Sequence, residues 1–282
     1  MKINEIISEA EVKPYEKEVL DTGANSSNNY RLDRLEKTLR QFCPVVDELI
    51  REPIWRGFKN HNQEILKIDP STGVRQSQNT SNYYTELMDN SPYFNGWPKR
   101  SRSIICSTEF GRASNYAYGA QNSAATYAVF PARGVKVAVC PGSDIWGTRI
   151  DLPFAFSGLD FPDLNVFLEY LGLSQDYSKM VKEVQSDFFA RELGYLIKNN
   201  TIEPVKPEDF LPEIEEAMAP QNTGFQLYDL EEFAGGGIRD KELWIGGPCI
   251  IVRSDLLETL RVGGTPITRP ETPYVAPDWG HH

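Results

Sequence analysis

The spacing of the apolar residues changes twice along this chain, and those changes limit the folds open to it. From Tyr30 to Glu52, Leu32, Leu35, Leu39, Phe42, Val46 and Leu49 recur at steps of three and four, the spacing of one helix face. Pro44 offers no backbone N–H and is expected to kink or divide that helix. After Arg56 the sequence turns polar through Thr80. Short strand-like runs follow at Ser103 to Ser107, Thr126 to Phe130 and Val135 to Val139, punctuated by Gly134 and by Pro141-Gly142. Residues 163 to 198 return to a helical period. Phe167, Leu168 and Leu171 form one piece, and Met180, Val181, Val184, Phe188, Phe189, Leu193 and Leu196 another, a face suited to covering a sheet. Leu243 to Val252 holds two more strands, separated by a turn at Gly246-Gly247-Pro248. Helices first, then strands with a helical segment inserted, predict an α+β fold rather than regular βαβ winding.

A chain of 282 residues with 40% hydrophobic content has enough apolar material for a substantial core. Its net charge of −11 disfavours nucleic acid as the main partner, since phosphate binding needs a surplus of Lys and Arg. Lys99, Arg100 and Arg102 form a compact basic cluster that reads as a solvated loop before a strand. Cys43, Cys106, Cys140 and Cys249 are widely scattered without metal-ligand spacing, so buried free thiols in a reducing compartment are expected and no metal is. His61 stands alone in a polar loop, and no catalytic histidine is predicted. No run approaches the roughly 20 apolar residues that cross a bilayer, and no secretory signal is read. Residues 10 to 29 are polar, with a linker-like composition and nothing to pack, and are expected to be mobile. The expected organisation is a leader and flexible linker over 1–29 and a helical region over 30–52. A catalytic domain over 53–255, with a helical insertion at about 160–215, and a tail over 256–282 complete it.

Three short segments carry candidate chemistry. In Pro53-Ile54-Trp55-Arg56-Gly57, the guanidinium of a strand arginine can grip a pyrophosphate or ribose through paired hydrogen bonds, and Gly57 leaves the backbone open to a ligand. Ser103 to Thr108 is an apolar strand ending in two hydroxyls, Ser107 and Thr108. It is followed by Glu109, Phe110, Gly111 and the small-residue helix start Ala113-Ser114-Asn115-Tyr116-Ala117. Glu242 heads the apolar strand of Lys241-Glu242-Leu243-Trp244-Ile245, rigidly placed but open on one side. There a carboxylate can stabilise positive charge developing on a sugar. The stretch Phe233 to Asp240, with three glycines, reads as a mobile loop leading into that strand.

In this order an arginine, a Ser-Thr pair on a strand and a late glutamate resemble the Arg, Ser-Thr-Ser, Glu pattern of the mono-ADP-ribosyltransferases. The resemblance spans residues 53 to 253, carried by about twenty positions. It implies a split β-sandwich with N-terminal helices and NAD as substrate. Arg56 and Gly57 would hold NAD, Ser107 would orient Glu242, Thr108 would position the ligand, and Tyr116 or Phe110 would stack on nicotinamide. Asp240, two residues before Glu242, matches the acidic position that recognises arginine acceptors in that family, one methylene shorter. Two departures stand out: Glu109 replaces the last serine, and the spacing to Tyr116-Ala117 is short.

The first ten residues, Met1 to Ala10, resemble the leader of internal head proteins of large tailed phages, with Ile7-Ser8-Glu9 as a head-protease site. The two resemblances together imply a phage-encoded enzyme, held in the virion interior and delivered to the host cytoplasm, where it modifies a host protein. An NAD glycohydrolase using the same residues, and a non-catalytic internal virion protein, are the alternatives.

Overall fold

The computed structural model describes residues 10–13, 16–20, 28–59, 63–76, 81–117, 125–145, 164–199 and 202–260. The leader at 1–9, His61 and most of the expected tail lie outside them. The chain opens with strands β1 (Ala10–Lys13) and β2 (Glu16–Val19), then helices α1 (Asn28–Phe42) and α2 (Val46–Arg51). Strands β3 (Ile54–Phe58), β4 (Ile65–Asp69) and β5 (Val74–Gln76) precede α3 (Tyr83–Asn90), β6 (Ile104–Ser107) and α4 (Phe110–Ala117). After β7 (Ala125–Pro131) and β8 (Lys136–Val139) come α5 (Leu164–Tyr170), α6 (Tyr177–Val184), α7 (Asp187–Lys198), α8 (Pro207–Ala217) and α9 (Pro220–Thr223). The last elements are β9 (Gln226–Asp229), α10 (Leu230–Gly235), β10 (Glu242–Ile245), β11 (Cys249–Arg253) and α11 (Ser254–Leu257).

The fold is α+β. Nine strands hydrogen-bond in the order β2-β4-β11-β7-β3-β6-β10-β8-β9, every described pairing is antiparallel, and β1 and β5 form a separate ribbon. One junction is thin: β3 and β6 share the single pair Trp55↔Ser107, whereas β3 and β7 share five. β10 and β11 are neighbours in sequence but not in the sheet. The Gly246-Gly247-Pro248 turn carries the chain from β6 and β8 on one side of that junction to β4 and β7 on the other.

Two apolar cores meet at the β6-β10-β8 part of the sheet, where alternate residues point to opposite faces. Ile104, Cys106, Val137, Val139, Leu243 and Ile245 join the core under α1, α2 and α10. Ile105, Ala138 and Trp244 join the core built with α3 and α5 to α8. The helical stripe before Arg56 packs as its spacing predicts, with Leu35, Leu39, Val46 and Leu49 buried and the helix divided at Pro44.

Several expectations are corrected. Residues 10–13 and 16–19 are not an unpaired linker, because β2 adds an edge strand to β4 and β1 pairs with β5. The polar stretch after Arg56 contains β4, whose Ile65, Leu66 and Ile68 are buried between β2 and β11. The expected tail starts too early, since Leu257 and Leu260 belong to the first core. The segment from Phe233 to Asp240 is not wholly loop: its start lies in α10 and Phe233 is buried.

All four cysteines are buried free thiols. Burial pushes Cys43 up to about 11, Cys106 up to about 12 and Cys249 well above its ordinary value, so these three stay protonated at neutral pH. Among the described residues no helix is long and apolar enough to cross a membrane, and no three side chains gather as metal ligands.

Candidate active site

The three chemical segments lie on adjacent strands β3, β6 and β10. Glu242 stands directly opposite Ser107 in the β10–β6 ladder. Their side chains share a face, with Cβ atoms expected about 5 Å apart. Each segment reaches its strand for a local reason. β6 is Ile-Ile-Cys-Ser, whose two β-branched isoleucines fit a pleated surface buried on both sides. Beyond its end, Thr108 extends the pairing: its N–H donates to the Lys241 carbonyl at 3.1 Å and its Oγ1 accepts from the Lys241 N–H at 2.9 Å.

Glu242 is not open on one side, as its place at a strand head led us to expect; it is only 2% exposed. Its Oε1 accepts from Trp244 Nε1 at 2.6 Å and lies 3.6 Å from Arg100 Nη2, while Oε2 accepts from the Ile145 N–H at 3.2 Å. The backbone is clamped too, by Cys140 N–H to the Glu242 carbonyl and Glu242 N–H to the Gly142 carbonyl. The stretch from Cys140 to Ile145 therefore holds both the backbone and the carboxylate of Glu242.

Arg100 is the largest correction. It is not in a solvated loop but 3% exposed, and it braces Glu242 from behind. Its Nη1 donates to Thr85 Oγ1 at 2.9 Å, and its guanidinium lies 5.8 Å from the Trp244 ring centre. The Asp89 carboxylate holds the backbone at the same point by accepting from the N–H groups of Arg100 and Ser101. Arg75, also buried, donates to the Arg100 carbonyl at 3.1 Å. Burial, and then the neighbouring Arg100 charge, pushes Arg75 down to about 9.

Arg56 Nη1 donates to the Ile105 carbonyl at 2.7 Å, bridging β3 to β6 where their ladder has one pair. Its guanidinium sits 5.5 Å from the ring centres of both Phe58 and Tyr116. Of the two candidate rings, Tyr116 therefore meets Arg56, whereas Phe110 packs edge-on against Trp55 at 4.9 Å. Burial, and then the nearby Glu242 and Asp144 carboxylates, pushes the Tyr116 phenol up, so it is neutral at pH 7.

Gly57 has a different use from the one its sequence context indicated. A Cβ there would stand 2.0 Å from the Ala113 carbonyl oxygen and 2.8 Å from Ala117 N. The backbone of α4, not a ligand, fills the space that glycine leaves. Ser107 Oγ accepts from the Glu109 N–H at 3.0 Å, so the residue in place of the last serine helps turn the chain into α4. Asp240 is held by Arg112, whose Nε donates to Oδ1 at 2.8 Å.

Sequence reasoning missed Arg75, Arg100, Arg112, Trp244 and Ile145. Only Trp244 left a signal: two residues after Glu242 on a strand, it shares that residue's face. Chemically, the arrangement offers a fixed, enclosed carboxylate with Ser107 opposite it in the ladder, and a guanidinium beside a neutral aromatic ring where β3 meets α4. Comparison with models of known protein families, with curated proteins and with solved structures finds no match to this chain.

Proposed function

We propose that this chain is an NAD-dependent mono-ADP-ribosyltransferase, in which Glu242 faces the nicotinamide-bearing ribose and Arg56 anchors the dinucleotide. The observation that carries the reading is the meeting of the three segments on adjacent strands, with Glu242 opposite Ser107. The thin β3–β6 junction supports a split β-sandwich of the transferase type. The residues fit NAD: Arg56 matches a pyrophosphate, Tyr116 a flat ring, and Glu242 a ribose gaining positive charge. When the bond from ribose to nicotinamide breaks, its electron pair leaves with nicotinamide. A fixed carboxylate stabilises the cation-like sugar without needing a metal or a proton. Ser107 stands opposite Glu242 in the ladder, where it meets the ligand, Thr108 ties the head of β10 through Lys241, and Asp240 favours an arginine acceptor on a host protein. The leader resemblance extends the proposal to a phage-encoded protein carried in the virion interior and acting in the host cytoplasm.

The close hold on Glu242 favours a second reading, in which the Arg100–Glu242 cluster only ties β10 to α3 and the chain is a non-catalytic virion protein. Nicotinamide release from NAD separates the two. Wild type should release nicotinamide with bacterial lysate present, and Glu242→Ala should reduce the rate at least ~100-fold. Equal release without lysate would indicate a glycohydrolase. No release and no NAD binding by the wild type would leave the non-catalytic reading.

A further inference from the structure

Arg75 is a second buried guanidinium beside Arg100, and the proposed chemistry does not use it. It is 6% exposed, and its Nη2 donates to the Arg100 carbonyl at 3.1 Å. Two like charges in one enclosed place cost stability, which the Glu242 and Asp89 carboxylates offset. Arg75 reaches its place from β5, and every ladder partner described for β5 comes from β1: Ala10 pairs with Gln76, Glu11 with Arg75 and Lys13 with Val74. A two-stranded ribbon of this length is marginal alone. Arg102 Nη1 adds a second tie by donating to the Ser71 carbonyl at 3.3 Å, just before β5. Contacts therefore run from β1 through Arg75 to the backbone of Arg100, and from the Arg100 guanidinium to Glu242 Oε1, 3.6 Å away. Trp244 Nε1 donates to that same oxygen.

We propose that Arg75 is a positioning residue for Glu242, acting through Arg100, and that the pairing of β1 with β5 sets where it stands. Arg100 meets two demands at once: its guanidinium reaches Glu242 while its carbonyl faces Arg75. Displacing Arg75 removes a donor from the carbonyl of a residue only 3% exposed, which keeps the longer bond from the Ser103 N–H at 3.4 Å. The short turn Arg100–Arg102 then relaxes, and the guanidinium shifts against a carboxylate whose backbone β10 holds still. A ribbon at the start of the chain thereby adjusts the partners of Glu242. The effect on catalysis rests on the transferase reading, whereas the effect on the hydrogen bonds of Glu242 does not.

The test follows the indole N–H resonance of Trp244 by NMR in the isotope-labelled full chain, with Trp244→Phe assigning it. Because Trp244 Nε1 bonds Glu242 Oε1, this resonance reports where the carboxylate stands. Arg75→Met should move it. Ala10→Pro with Glu11→Pro, which strips N–H groups from consecutive ladder residues of β1, should move it the same way. Added to Arg75→Met, the proline pair should change little further, since both act on one path. Arg75→Lys, which keeps the charge without the planar fork, stands in if Arg75→Met does not fold and should also move the resonance. With NAD, each variant that moves it should lower kcat ~10-fold or more and leave KM little changed. A Trp244 resonance unmoved in a folded Arg75 variant would overturn the positioning role, because a structural arginine would cost stability alone. A proline pair without effect, or shifts that add independently, would overturn the link to β1, and a moved resonance with unchanged kcat would overturn the catalytic role. Absence of nicotinamide release by the wild type would remove the transferase reading, while the resonance still decides whether Arg75 places Glu242.

Discussion

Arg100→Met should destabilise the protein by about 3–5 kcal/mol, the usual cost of leaving a buried charge without its partner. Glu242 is 2% exposed and Arg100 3%, and the guanidinium lies 3.6 Å from the carboxylate. Trp244 Nε1 and the Ile145 N–H would remain, but neither carries a compensating charge. Thr85 Oγ1 would also lose its donor. Urea unfolding followed by tryptophan fluorescence measures the loss, with Trp244 packed against the cluster as a local reporter. The double variant Arg100→Met, Glu242→Gln should recover much of the stability, because a neutral amide tolerates burial without a cation. A single variant as stable as wild type would mean that the pair is not a unit, and a double variant no better than the single would assign the loss to packing.

Gly57→Ala should be comparably severe, at about 3 kcal/mol or more. The new methyl group would stand 2.0 Å from the Ala113 carbonyl oxygen and 2.8 Å from Ala117 N, and both are backbone atoms that cannot rotate away. The collision is relieved only if α4 lifts from β3, which carries Tyr116 away from Arg56. Thermal unfolding reads the first effect, and NAD affinity of whatever protein remains folded reads the second. Wild-type melting behaviour would show that α4 has room to move. Were Gly57 needed only for ligand approach, stability would hold while binding fell.

The helical stripe from Leu32 to Leu49 and the strands around Ile105, Val129, Val137 and Ile251 were legible because each depends on local spacing. A helix period or a continuous apolar run reports the face a segment must bury, wherever its partner lies. The polar look of residues 59–80 concealed β4. Its apolar run, Ile65, Leu66 and Ile68, is short and set in polar sequence, and the strands that pair with it, β2 and β11, are distant in the chain. Arg75 and Arg100 were unreadable for a related reason. A buried arginine looks like a surface one until the carboxylates that compensate it are known, and here they are Glu242 and Asp89, contributed by other elements.

By itself the sequence determined the α+β class, the division of the first helix at Pro44, and the order of the arginine, hydroxyl and glutamate segments along the chain. Those features follow from backbone chemistry and short-range periodicity, which each segment carries with it. Tertiary structure alone decided that the three segments lie side by side, that Glu242 is enclosed and braced by Arg100, that Gly57 serves helix packing, and that Arg112 reaches Asp240. Each of these is a contact between residues far apart in sequence, set by sheet order and strand register, and none is written in any one segment.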